Sequence, residues 1–192
     1  LQTALGLFLA TLLTRGLPGS TLFRVIFVIP WVAAPLALGV VWKWILAPHN
    51  GALNTLLGSN TEWLTNPNLA LPAVAFVSIW SQVGYTTLFF IAGLSGIPRE
   101  VVEAAEIDGA NAWQRFWRVT LPLLKPILLF VMITSISGCL QLYDEPFMVF
   151  GNAQGGPKNA AMTTIMYMYD AAFGRTMRYG YAASIAYSLF TL

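Results

Sequence analysis

Three apolar runs, residues 22–46, 69–94 and 121–143, restrict this chain to very few folds. A bilayer core about 30 Å thick takes roughly 20 residues of helix at about 1.5 Å rise each, and every one of the three is long enough. Two further apolar stretches, 1–14 and 179–192, reach the chain ends. Inside lipid each backbone N–H and C=O must be satisfied by protein, which leaves helices or closed barrels. Barrel strands alternate apolar and polar residues over about ten positions, whereas these runs are continuous. The expected fold is all-α, a polytopic transmembrane helix bundle set in a lipid bilayer.

Composition narrows the function. Hydrophobic residues make up 57% of the chain and charged ones 9%, against about 25% charged in soluble domains. A net charge of +2 without a basic run gives no ground for nucleic-acid binding. The single Cys139 lies in an apolar stretch, which rules out disulfide and zinc frameworks. One Cys and one His, His49, cannot build a metal or acid/base cluster, so a membrane-embedded enzyme fits badly and no metal site is expected. The stretch 1–14 lacks a basic leader and a small-residue cleavage site. It reads as the tail of a spanning helix, and the chain as part of a longer protein whose first and last helices are cut.

The expected order is helix 1–14, a short loop with Arg15, Gly16, Pro18 and Gly19, helix 22–46, and a loop 47–68 with a turn at Asn50-Gly51. Helix 69–94, a polar island, helix 121–143, a long loop 144–178 and the last helix follow. Pro30 and Pro35 each remove a donor and crowd the preceding turn, so 22–46 should kink or break. Parity puts the Arg15–Arg24 loop and the island on one side of the membrane, with Arg15, Arg24, Arg99, Arg115, Arg118 and Lys125. Lys43, Lys158, Arg175 and Arg178 fall on the other. The bias favours a cytoplasmic island. Most of the tryptophans, Trp31, Trp42 and Trp44 among them, sit near span ends, where indoles anchor at the interface.

The island, residues 98–122, separates two spans. Pro98 suits the first position of a helix, and Glu100 and Glu103 lie near the positive end of its dipole. Arg99, Glu103 and Glu106 share one face; Ile97, Val101, Ala104 and Ala105 share another, shallow and apolar. Gly109 can end the helix in a left-handed conformation. Asp108, an acid at that end, opposes the dipole. A second helix restarts at Asn111, which with Gln114 approximates a capping box. Trp113, Phe116, Trp117, Thr120, Leu121 and Leu124 then repeat at helical period.

Glu103-Ala104-Ala105, then Gly109, then Val119-Thr120-Leu121-Pro122 resembles the cytoplasmic coupling loop, here 95–120, of permease subunits in ABC importers. The chain is similar to the carbohydrate-uptake class, the maltose and glycerol-phosphate type, over essentially all of 1–192. Phe27-Val28-Ile29-Pro30-Trp31-Val32, Trp63-Leu64-Thr65-Asn66-Pro67-Asn68, Gly155-Gly156-Pro157 and Tyr167-Met168-Tyr169 carry that resemblance.

The resemblance implies a type I importer fold in the bacterial or archaeal cytoplasmic membrane, with a cytoplasmic coupling helix. It implies a second homologous permease, a dimeric cytoplasmic ATPase that binds ATP and Mg, and an extracytoplasmic solute-binding protein. Glu103, Ala104, Ala105, Asp108, Gly109, Leu121 and Pro122 would form the ATPase-coupling site. No G-x-x-x-x-G-K-[ST] phosphate loop occurs in the chain, so hydrolysis would belong to the partner and this chain would not be an enzyme.

Polar residues inside spans usually face a bundle interior or a water-filled cavity. Ser78, Gln82, Tyr85, Ser135 and Gln141 are the candidates for a solute path, since neutral hydrogen-bonding groups beside an aromatic ring suit a sugar. The serines would serve equally well in hydrogen bonds between packed helices. An ion-coupled secondary transporter is the alternative. It would usually place Asp, Glu or His in mid-span and show an inverted repeat, and neither is visible.

Overall fold

A computed structural model describes residues 1–14, 19–174 and 177–191, with the backbone alone at Leu36. The described residues contain no strand. Arg15, Gly16, Pro18 and Arg175 lie outside them.

The apolar runs are helices, and proline decides where they break. Residues 22–46 divide into α2 (Ser20–Val32) and α3 (Pro35–Ile45). The break falls before Pro35: Ala34 takes φ −59° and ψ 126°, the extended conformation that the following ring enforces. Pro30 is accommodated inside α2. Before them comes α1 (Gln2–Leu13), and beyond them α5 (Pro67–Ser95), the longest helix at 29 residues. By length and composition, α5 and the run Lys125–Phe150 are each sufficient to cross a membrane, and Ser20–Val32 with Ala37–Ile45 would make a broken third span.

The connecting segments are more ordered than their polarity suggests. The 47–68 loop holds α4 (Ala52–Leu57), which starts just after the Asn50-Gly51 turn, where Asn50 has φ 61°. The expected long loop 144–178 is corrected more substantially. It contains α10 (Asp144–Phe150), a 3-10 turn Pro157–Asn159 and α11 (Thr164–Phe173). Asp144 and Glu145 sit in the first turn of α10, where the helix dipole favours acids. The Thr163 hydroxyl accepts from Met166 N–H at 3.2 Å and caps α11. These are short-range signals inside a stretch whose composition reads as loop. The final helix is α12 (Tyr179–Phe190).

The described chain forms two compact units. The first joins 1–32 with 79–136. Its core is Ala10 and Leu13 of α1, Phe90 and Ile91 of α5, and Val131 of α9 (Lys125–Leu140), with Phe27 of α2 packed against it. α2 and α5 approach so closely that any side chain at Gly84 would run into the Phe27 carbonyl. Glycine there fixes the helix spacing. α9 turns Leu129 (58% exposed), Ile133 (64%) and Ile136 (57%) outward. That much exposed apolar surface on one helix suits a lipid or protein environment and not water.

The second unit joins 33–78 with 137–192. α3 packs on α10, and Trp42 meets Phe76 of α5 edge to face at 5.6 Å. Ala171, Ala172 and Ala182 let α11 and α12 close on each other.

Candidate functional site

The island begins with α6 (Arg99–Ile107). Pro98 stands one place earlier than expected, as the N-cap. At the other end Gly109 has φ 82°, which an L side chain rarely adopts. Its N–H donates to Glu106 O and Ala110 N–H to Ala105 O, each at 3.0 Å, so the helix closes with a complete Schellman motif. Both ends are thus defined by local chemistry.

The next helix, α7 (Ala112–Arg115), is held by a reciprocal capping box. Gln114 N–H donates to Asn111 Oδ1 and Asn111 N–H to Gln114 Oε1, both at 2.9 Å. Arg115 pairs with Glu106 and ties the two helices together. Glu106, one turn beyond Glu103 on α6, thus has its carboxylate engaged by α7.

Beyond Arg115 the expected α-helical stripe gives way to a π turn, Phe116–Thr120. Pro122 is the cause. It has no N–H for the Arg118 carbonyl, and its ring would crowd that oxygen. The ladder shifts by one residue, so that Leu121 N–H reaches Phe116 O, and α8 (Leu121–Leu123) follows.

No residue of α6 is buried. Glu103, Ala104, Asp108 and Gly109 are exposed, Ala105 is half-buried, and Ile107 is 87% exposed. Leu121 is half-buried and Pro122 exposed. A short amphipathic helix with a fixed start and end therefore presents an uncovered apolar face. Trp113 (70% exposed) and Trp117, 5.5 Å apart, extend the open apolar surface along the island.

The candidate path residues fall into both units, with Gln82, Tyr85 and Ser135 in the first and Ser78 and Gln141 in the second. Tyr85 is the one with a defined aromatic setting. Its ring lies 4.8 Å from Trp31, tilted by 30°, and 4.8 Å from Phe89, edge to face; Phe89 continues to Phe130 at 5.1 Å. Gln82, one turn before Tyr85 on α5, is half-buried, as is Ser135; Gln141 is exposed. Sequence reasoning gave Trp31 to the interfacial belt and passed over Phe89 and Phe130. Phe89 stands four residues after Tyr85, a helical spacing that would have flagged it. Trp31 and Phe130 come from other helices, and no local signal marks them. Among the described residues no cluster of three or more His, Cys, Asp or Glu could hold a metal.

Comparison with known proteins places this arrangement. The model of the family "binding-protein-dependent transport system inner membrane component" matches residues 2–192. The lactose transport system permease protein of Rhizobium radiobacter is 36% identical over 193 residues, covering 97% of this chain and 64% of that protein. The multiple sugar-binding transport system permease protein of Streptococcus mutans is 35% identical over 194 residues, covering 100% of this chain and 66% of that protein. The chain thus spans about two thirds of the length of these relatives. A crystal structure of a bacterial ABC transporter that imports the acidic polysaccharide alginate superposes with a TM-score of 0.82 at 19% identity, covering 97% of this chain and 67% of that one, and shares the fold. The chain belongs to the family of binding-protein-dependent transport system inner membrane components.

Proposed function

We propose that this chain forms the solute-conducting part of a permease subunit that imports a sugar or sugar derivative at the expense of ATP hydrolysed by a separate ATPase. The observation that carries the reading is α6: capped at Gly109, tied to α7 by Glu106 and Arg115, and without a single buried residue. A helix fixed at both ends and open on its apolar face is prepared to seat in a partner. Glu103, Ala104, Ala105, Asp108 and Gly109 would enter a cleft on a dimeric ATPase that binds ATP and Mg, on the cytoplasmic side. Leu121 and Pro122 would pass the movement into α9. Nucleotide binding to one state of the ATPase pair would then shift the permease between outward-open and inward-open forms.

Carbohydrate as the solute is supported by the lactose and multiple-sugar relatives and by the ring environment of Tyr85. These relatives also favour an importer over an ion-coupled transporter. Gln82 and Tyr85, with Ser78, Ser135 and Gln141, would line the path, while a second related permease and an extracytoplasmic solute-binding protein would complete the assembly.

A Cβ at 109 meets nothing within 4 Å among the described residues, but an L side chain is strained at φ 82° by roughly 1–2 kcal/mol. Gly109→Val is expected to cut co-purification of the ATPase roughly tenfold, with the amount inserted in the membrane unchanged. Undiminished ATPase binding and uptake would remove the coupling role. Sugar accumulation down an ion gradient, without the ATPase, would overturn the importer reading itself.

A further inference from the structure

The second unit contains a row of aromatic rings that neither coupling nor the Tyr85 stack uses. Tyr143 and Phe147, one turn apart at the start of α10, stack at 5.1 Å with 21° between their planes. Tyr169 of α11 meets them at 5.3 and 6.2 Å. Phe173, one turn further along α11, lies 5.1 Å from Tyr169, and Tyr179 at the start of α12 lies 6.3 Å from Phe173. Three helices thus contribute to one line of rings.

The row is open. Tyr169 is 40% exposed, Phe173 65% and Tyr179 58%. Rings that served as core would be covered. Rings that anchor a helix in a headgroup layer need no contact with each other. Here the rings touch in sequence, with phenol hydroxyls among them. Their faces offer apolar surface to a flat C–H face, and their rims offer hydrogen bonds. The acids next to the row in sequence, Asp144 and Asp170, add acceptors for hydroxyl groups and repel phosphate; Arg178 is the one cation adjoining it in sequence. Beside the row the Tyr167 and Tyr181 hydroxyls meet at 3.3 Å. That hydrogen bond raises the Tyr167 pKa above the usual phenol value. Ring faces, neutral donors and carboxylate acceptors together match a pyranose, and match an anionic lipid headgroup poorly.

We propose that Phe147, Tyr143, Tyr169, Phe173 and Tyr179 form a stacking track for pyranose rings, a carbohydrate site in addition to the stack around Tyr85. The proposal rests on the reading that the chain conducts carbohydrate. It adds where sugar is held on this unit and by what force.

The test uses the permease pair with its ATPase in lipid discs, with the solute-binding protein left out of the binding measurement, and lactose and maltotriose as probes. Saturation-transfer NMR on a Tyr85→Ala background is expected to show transfer from protein to the C–H protons of both sugars, and none to sorbitol, which has the hydroxyls but no ring. Adding Tyr169→Leu and Phe173→Leu should abolish the transfer. In uptake assays on otherwise native importer, either leucine variant is expected to raise the half-saturating sugar concentration roughly three- to tenfold, and Tyr169→Phe, which keeps the ring face, to restore it. Should Tyr169→Leu fail to assemble, the more exposed Phe173→Leu carries the test alone. The track reads the ring and not the identity of the sugar, so transfer that is absent for both probes, or unchanged in the leucine variants, overturns it. A loss of thermal stability in the leucine variants that added lipid reverses, with sugar response intact, marks a lipid belt and also overturns it. Normal ATP-driven uptake in either case leaves the function reading standing; absence of ATP-driven uptake in the parent importer defeats that reading instead.

Discussion

Asn54 holds the 47–66 segment together. It is 3% exposed, and its Nδ2 donates to the carbonyls of Thr61 at 2.9 Å, Pro48 at 3.0 Å and Ala47 at 3.3 Å. Its Oδ1 accepts from the Trp63 indole N–H at 2.8 Å and the Ser59 hydroxyl at 3.2 Å. Removing such a hub strands several buried polar groups at once, at a cost of about 1–3 kcal/mol. Asn54→Ala is expected to speed hydrogen exchange of the amides of 52–63 by roughly tenfold or more, with exchange in α9 unaltered. Equal protection in both proteins would mean that the segment is held by other contacts. Nothing in the sequence distinguishes Asn54 from Asn60 or Asn66, because its partners are mostly backbone carbonyls and carry no residue signature. Gly109 and the Asn111–Gln114 box were readable for the opposite reason: each is completed within a few residues of itself. The ring neighbours Trp31 and Phe130 of the candidate path needed the packing of separate helices before they could be seen.

At the scale of elements, hydrophobic length located the helices and proline chemistry located the break at Ala34. Reading by average polarity failed over 144–178, since α10 and α11 are short and each rests on a single local device, the acids of Asp144 and Glu145 or the cap of Thr163. The π turn Phe116–Thr120 was missed because a stripe at α-helical period hides a one-residue shift of the ladder. That turn sets how α7 enters α9. With Pro122→Ala, an N–H becomes available to the Arg118 carbonyl and the segment can close as α-helix, which turns the island by about one residue, or 100°, relative to α9. The expected result is a thermal midpoint equal to or above that of the parent, together with loss of ATP-driven uptake. Full uptake would show that the π turn has no part in coupling.

For the molecule as a whole, an alternation of long apolar helices and connecting segments was legible from length alone. The division into two compact units was not, because it cuts α5 between Ser78 and Ile79, where no proline or glycine marks a boundary. Parity and a modest surplus of cations around the island favour a cytoplasmic island, and the side of each loop can be measured directly. Ile107 is 87% exposed at the end of α6, and Leu56 is 84% exposed in α4; one long helix, α5, lies between them in sequence. In a Cys139→Ser background, since that thiol is itself exposed, a membrane-impermeant maleimide is expected to label Ile107→Cys only in inside-out vesicles and Leu56→Cys only in right-side-out ones. Labelling of both from one side would mean that α5 does not cross. The reversed pattern would put α6 outside the cell, beyond reach of any ATPase in the cytoplasm, and would remove the coupling role proposed for it.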